Sequence, residues 1–143
     1  MSCLAGISLV QDFEEVIILD LADIYYECDV DLQSIMDHET HGLVLTFKSR
    51  EQQYSYFKFN DGDFKLAAEK EVISDDASAG TYIFKNISLL LSSLSWSISN
   101  FDKLKFNDLL YVAPIFNGLI NLSKNVKKYE VSNVIDLKSQ DRV

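Results

Sequence analysis

Hydrophobic and polar positions along this chain fall into short blocks whose period shifts from strand-like to helical and back. Val16 to Leu21, VIILDL, is an apolar run broken by one acid, the pattern of a strand covered on both faces. It runs out at Asp23. Asp29 or Asp31 can then cap a helix carrying Leu32, Ile35 and Met36 on one side, and Gly42 punctuates the chain before a second buried run, Leu43 to Phe47. These pieces predict a strand–helix–strand unit.

Tyr54 to Phe59 is rich in aromatic residues, and the turn signal Asn60-Asp61-Gly62 folds it back onto Phe64 to Ala68 as a hairpin. Ala68 to Phe84 crowds Glu69, Lys70, Ser74, Asp75 and Asp76 against a run of small residues, which reads either as a polar loop or as a site leading into a strand over Thr81 to Phe84. Ile87, Leu90, Leu91, Leu94 and Ile98 recur at helical spacing, with Ser88, Ser92, Ser95 and Ser99 opposite and Trp96 as packing. A second helix is expected over Leu109 to Leu122, with Pro114 near its start and Ile115, Leu119 and Leu122 inward. Val126 to Val131 and Val134 to Leu137 close the chain as short strands separated by Ser132-Asn133.

With 143 residues, 48% of them hydrophobic, one Pro and five Gly, the chain has the size and apolar content of one α/β domain, residues 1–143, and no repeat or linker divides it. The formal charge of −9 argues against nucleic acid or an anionic membrane surface as partner, because both select clustered Lys and Arg. The charge is uneven: residues 1 to 47 hold ten Asp or Glu and no Lys or Arg, whereas the rest hold twelve acids against thirteen bases. Such a third is either a solvated acidic face or a source of ligands for a divalent cation or a basic partner. Cys3 and Cys28 lack metal-site spacing, and no run approaches a membrane span, so a soluble, cytoplasmic protein with reduced thiols is expected.

Two strands deliver acids at their carboxyl ends, Asp23 and Asp136, where open α/β sheets gather ligands. Either these residues cap the turns that follow or they share a metal. His38 and His41 fall at a helix end, where capping competes with a base or ligand role, and Ser49, Ser74 and Ser78 have no His near in sequence to activate them.

The segments VIILDLADIYY, YSYFKFNDGDFKLAAEKEVISDDASAGTYIFKN, YVAPIFNGLI and VKKYEVSNVIDLKSQD resemble, in order and spacing, the later part of bacterial sugar-1-phosphate nucleotidylyltransferases, above all the small forms of capsule and surface-glycan synthesis. The resemblance implies a partial Rossmann-like mixed sheet of the nucleotide-diphospho-sugar transferase type, with flanking helices and a β-hairpin. It implies transfer of a nucleotidyl group from a nucleoside triphosphate to a sugar 1-phosphate, with release of pyrophosphate. By resemblance Asp23 and Asp136 are the two aspartates that hold magnesium (Mg2+), Glu69 accepts sugar hydroxyls, Lys70 meets the sugar phosphate, and Gly80 lets the backbone approach the sugar. Tyr111 and Asn117 match a YVAPxxN segment with a mainly structural role.

The chain departs from that pattern in two places. The glycine-rich loop with its Arg and Pro-Lys pair, which grips the triphosphate, has no counterpart, since the chain begins at the family's middle and Gly6 stands alone. Lys138-Ser139-Gln140 replaces the Gly-Thr-Pro that follows the second aspartate. Without that loop no amides cradle the phosphates, so a truncated protein inactive alone is expected, with self-association or a partner chain completing the sheet. The alternatives are a non-catalytic binding or assembly module and, last, a glycosyltransferase of the related GT-A type, for which Asp20 and Asp23 are one residue too far apart.

Overall fold

The computed structural model describes residues 6–140; Cys3 lies outside them, as does the side chain of Leu32. In chain order the elements are β1 (Ile17–Asp20), β2 (Ile24–Glu27), the one-turn α1 (Leu32–Ile35), β3 (Gly42–Lys48), β4 (Ser55–Asn60), β5 (Asp63–Glu69) and β6 (Asp76–Phe84). They continue as α2 (Ile87–Ser99), α3 (Phe101–Leu104), α4 (Val112–Ile115), α5 (Asn117–Asn121), β7 (Val126–Glu130), β8 (Ser132–Asp136) and α6 (Leu137–Gln140).

The main sheet runs β5-β4-β6-β3-β7, with β1 also on β6, and β2 and β8 form a separate antiparallel ribbon. The β3–β7 pair is parallel and every other pairing is antiparallel, so the sheet is mixed. β6 is its centre. All nine of its residues are buried, with β3 along one edge and β1 and β4 sharing the other.

The stretch read as a polar loop leading into a short strand is therefore mostly this central strand, which starts at Asp76 rather than Thr81. Small residues explain the misreading. Ala77, Ser78, Ala79 and Gly80 lack strand propensity, but between two neighbouring strands they let layers approach closely on both faces. Asp76 tolerates burial because Lys48 Nζ lies 2.6 Å from its carboxylate and Lys128 Nζ closes on the other oxygen. Burial pushes that carboxyl up, yet the two lysines outweigh it and hold it below the usual aspartate value.

β1 corrects a second expectation. It is not covered on both faces but alternates half-buried and exposed: Ile18 is 53% exposed, while Ile17 and Leu19 pack against the core and the backbone pairs with β6. The expected strand–helix–strand unit also dissolves: an unforeseen strand, β2, follows β1, and the helix shrinks to one turn. The hairpin forms as expected, through a two-residue loop in which Asp61 (φ 51°) and Gly62 (φ 89°) both take the positive φ of a type I′ turn.

Helices cover one face of the sheet. There Val44, Phe57, Phe64, Tyr82 and Phe84 pack with Leu90, Leu94, Ile115 and Leu119 around Phe116, whose ring lies 4.6 Å from Phe84 and 5.4 Å from Phe57. The opposite face carries a smaller cluster of Leu45, Ala79 and Val131, covered by Tyr26, Cys28 and Val134 from the β2–β8 region. α2 has its expected length but not quite its expected inner face. Ser93 and Ser97 are buried and Ile98 is exposed, because Gly118 of α5 approaches so closely that an added Cβ would lie 2.6 Å from the Ser93 carbonyl oxygen. Ser93 answers the approach by donating its hydroxyl to Ile115 O at 2.7 Å.

The single helix expected over Leu109 to Leu122 is two short ones, α4 and α5. Asn117, at their junction, accepts from Ala67 N and donates to Ala67 O, each at 2.8 Å. Its side-chain amide thus pairs with the outer edge of β5 as a neighbouring strand would.

Candidate functional site

A cleft of about 960 Å³ opens where the end of β5 and the middle of β6 meet the α2–α4 segment and the β2–β8 ribbon. Asp23, Glu69, Lys70, Gly80 and Asp136, the five residues singled out from the sequence, all line it. Leu94, Ile98, Leu109 and Ile115 give it an apolar wall.

Glu69 and Lys70 reach the cleft together through a backbone device. Successive residues of a strand point to opposite faces. β5 ends at Glu69, and Lys70 takes a left-handed conformation, φ 53°, held by its N–H donating to Tyr54 O at 3.1 Å, so both side chains line the same cavity. A left-handed non-glycine costs roughly 1–2 kcal/mol, which makes the turn a feature the surrounding structure must hold.

Glu69 is half-buried, and Ser55 donates to its Oε2 at 2.5 Å. Burial pushes its carboxyl up; the Ser55 hydrogen bond and the charges of Lys70 and Lys138 oppose that shift without reversing it. Lys70 Nζ rests over the rings of Phe106 (5.3 Å) and Tyr111 (5.8 Å), which hold a cation without neutralising it, and it forms no salt bridge among the described residues. Tyr111, expected to be mainly structural, is thus also part of the Lys70 cradle.

Asp23 and Asp136 come from the ribbon. Asp23 precedes β2, Asp136 ends β8, and Ile24 pairs directly with Asp136. Ala22, left-handed at φ 55° with its N–H on Asp20 Oδ1 at 2.7 Å, turns the chain back after β1. Gly80 faces Asp23 from β6: its φ is 84°, and an added Cβ would stand 3.4 Å from Asp23 Oδ1. Gln53 and Tyr54 donate to Asp136 Oδ2 at 3.0 and 3.1 Å.

Sequence reasoning passed over Lys138 except as a departure from a motif. Its backbone N–H donates to Asp136 Oδ1 at 2.9 Å, and its Nζ forms an ion pair with Asp23 Oδ2. One residue thus holds both aspartates. Ser55 was also missed; its signal, a hydroxyl directly across the hairpin from Glu69, emerges only once the register pairs them.

Of the ten acids in residues 1 to 47, nine are exposed and Asp23 alone is half-buried, so the acidic third is a solvated face that contributes one carboxylate to the cleft. Asp20 does not line the cleft; its Oδ2 accepts from Thr81 Oγ1 at 2.6 Å, and Thr81 Oγ1 in turn lies 2.7 Å from Tyr26 OH. His38 is exposed beside Glu39, and His41 Nδ1 is buried with no hydrogen-bond partner among the described residues, away from the cleft.

Two carboxylates completed by phosphate oxygens are a donor set that suits magnesium. Among the described residues, however, no group of three or more His, Cys, Asp or Glu is placed to hold a metal, and a lysine already meets the Asp23 charge.

No family model matches the sequence, and no curated protein matches it in a sequence search. Solved structures do match. A nucleoside-diphosphate-sugar pyrophosphorylase from Vibrio cholerae RC9 superposes with a TM-score of 0.75 at 22% identity, covering 94% of this chain and 55% of its own. An inositol-1-phosphate CTP transferase from T. maritima gives 0.63 at 13% identity, covering 94% and 52%. A Bacillus anthracis protein named as a glucose-1-phosphate thymidylyltransferase, determined in complex with sucrose, gives 0.62 at 16% identity, covering 86% and 49%. The chain spans about half the length of these structures, and its fold is theirs: a mixed α/β sheet of nucleotidyltransferase type.

Proposed function

We propose that the cleft binds a sugar 1-phosphate, as the acceptor half of a sugar-phosphate nucleotidyltransferase. The observation that carries this reading is the convergence of Glu69, Lys70, Gly80, Asp23 and Asp136 on one cavity, from four separate segments of chain. Each has a chemical task there. Glu69 is an acceptor for sugar hydroxyls, held by Ser55. Lys70 is a point charge for the phosphate, left available by its aromatic cradle. Gly80 keeps the floor of the cleft free of a side chain beside Asp23.

Asp23 and Asp136 are the residues that would hold magnesium, which when bound would neutralise triphosphate charge. The chain's own groups bind and orient the acceptor; the 143 residues contain no glycine-rich loop to hold the nucleotide, so these residues alone do not complete the transfer. The nucleotide-gripping residues then come from another polypeptide or stretch of chain. The binding-module reading shares this cleft and differs only in that no such complement exists. The glycosyltransferase reading draws least support, because Asp20 is committed to Thr81 outside the cavity.

Association belongs to the same reading. Of the sheet's outer strands, β5 is clamped by Asn117 and β7 carries Lys127 and Lys128, whereas the outer side of β1 offers uncharged Ile17, Ile18 and Leu19. That edge is the one we propose for a second copy or a completing chain, and a strictly monomeric mass by light scattering at tens of micromolar would count against a second copy.

Calorimetric titration with glucose 1-phosphate tests the site. Binding should occur, and Lys70→Met should weaken it by about tenfold or more, the loss of one charge-assisted hydrogen bond. Absence of binding, or equal binding by the variant, would refute the assignment. Pyrophosphate release from a nucleoside triphosphate should be undetectable with these residues alone.

A further inference from the structure

Among the described residues, the cleft is lined by carboxylates on Asp23, Glu69, Asp108 and Asp136 and by ammonium groups on Lys70 and Lys138; Asp108 is met by Lys105 at 3.1 Å, which leaves Asp23, Glu69 and Asp136 to be balanced within the cleft. An anionic ligand entering such a cavity needs a cation beside the carboxylates. The side chain of Asp23 is 22% exposed and that of Lys138 74% exposed, so the carboxylate has lost most of its water while the lysine reaches in from solvent. A largely desolvated carboxylate is costly without a counter-charge, and Lys138 supplies it while its own backbone N–H satisfies Asp136. Leu137 N–H fixes the approach by donating to Asp23 O at 3.0 Å. The ammonium of Lys138 therefore stands against one aspartate of the pair and its backbone N–H against the other.

We propose that Lys138 is the resident cation of the Asp23–Asp136 pair, competing with divalent metal for it, so that the cleft accepts a phosphorylated ligand without metal. The proposal rests on the sugar-phosphate reading for its ligand but not for its central claim, which concerns metal alone. A metal entering the pair must displace the Lys138 ammonium from Asp23, whereas the Lys138 N–H can stay on Asp136, since a ligating carboxylate still accepts hydrogen bonds.

Manganese binding, followed by electron paramagnetic resonance of free Mn2+, separates these claims. Lys138→Met keeps the methylene chain and removes the charge; it should bind Mn2+ at least about threefold more tightly than the unmodified chain, the size of one partly exposed ion pair. Asp23→Asn in the Lys138→Met background should abolish the gain. Equal affinity in the unmodified and Lys138→Met chains, or a gain that survives Asp23→Asn, overturns the proposal. A second measurement needs no variant: glucose 1-phosphate should bind the unmodified chain with the same affinity in EDTA as in excess Mg2+, and a requirement for Mg2+ overturns the proposal. If glucose 1-phosphate fails to bind in either buffer, the sugar-phosphate reading fails, while the manganese titration still decides the role of Lys138.

Discussion

Replacing Asn117 by Ala should destabilise the protein out of proportion to the atoms removed, because the amide does the work of a missing strand. The side chain is buried, and it satisfies the N–H and the C=O of the same residue, Ala67, at 2.8 Å each. Truncation leaves both Ala67 groups without a partner in a buried position, since Ala67 itself is 3% exposed. An orphaned buried polar group costs about 1–3 kcal/mol, so the two together predict about 2–6 kcal/mol, less whatever an entering water recovers. The loss also reaches the cleft: Ala67 lies two residues before Glu69, and β5 is otherwise held on one side only, by β4. Urea denaturation followed by circular dichroism measures the stability, and glucose 1-phosphate titration of the folded fraction measures the site. Asn117→Asp is the sharper control, for a carboxylate accepts from Ala67 N–H but cannot donate to Ala67 O, so it should be at least as damaging at neutral pH. A loss under about 1 kcal/mol for both variants would show that β5 does not depend on this clamp.

Glu69→Gln tests the burial of the acceptor carboxyl by its pH dependence. Because the folded-state pKa of Glu69 is raised, the stability associated with its protonated form is present at low pH and is lost as pH rises through the folded pKa. The Gln variant, which carries no titrating group, should therefore gain stability relative to the unmodified chain at pH 7 and not at pH 4, while losing affinity for the sugar; thermal melts at the two pH values check the sign, and an equal difference at both refutes it. Gly80→Val places a β-branched side chain at φ 84° and within van der Waals reach of Asp23, so it should destabilise by more than about 1 kcal/mol and weaken ligand binding together. Binding that survives Gly80→Val unchanged would exclude Gly80 from the floor of the site.

The elements legible in the sequence were those whose pattern is local. The Asn60-Asp61-Gly62 hairpin and the α2 period are set by backbone preferences and by spacing within one segment, and both formed where expected. The elements misread depend on partners distant in sequence. Asp76 to Gly80 forms the most buried strand of the sheet although its composition is that of a loop, because Lys48 and Lys128 neutralise Asp76 and β3 supplies a neighbour from 28 or more residues away. VIILDL reads as a two-face-buried strand, yet β6 is already flanked by β3 and β4, and the run is left on the part of its edge that β4 does not occupy.

The cleft follows the same division, and that division bears on how far a motif can be carried. Glu69, Lys70, Gly80, Asp23 and Asp136 were legible because their order along the chain resembles a family's, and the fold brings them to one cavity. What decides their electrostatics was not legible. Ser55 meets Glu69 through the hairpin register, Phe106 and Tyr111 meet Lys70 through the chain between α3 and α4, and Lys138 meets Asp23 across 115 residues. The last of these sits where the resemblance breaks, in the segment that replaces Gly-Thr-Pro. A glycine two residues after Asp136 would leave the aspartate pair with a net charge of −2 to be met from outside; a lysine there reduces it to −1 from within. The break in the motif is therefore itself a statement about charge: the chain keeps the two carboxylates, and supplies with an ammonium of its own what a bound cation would otherwise bring.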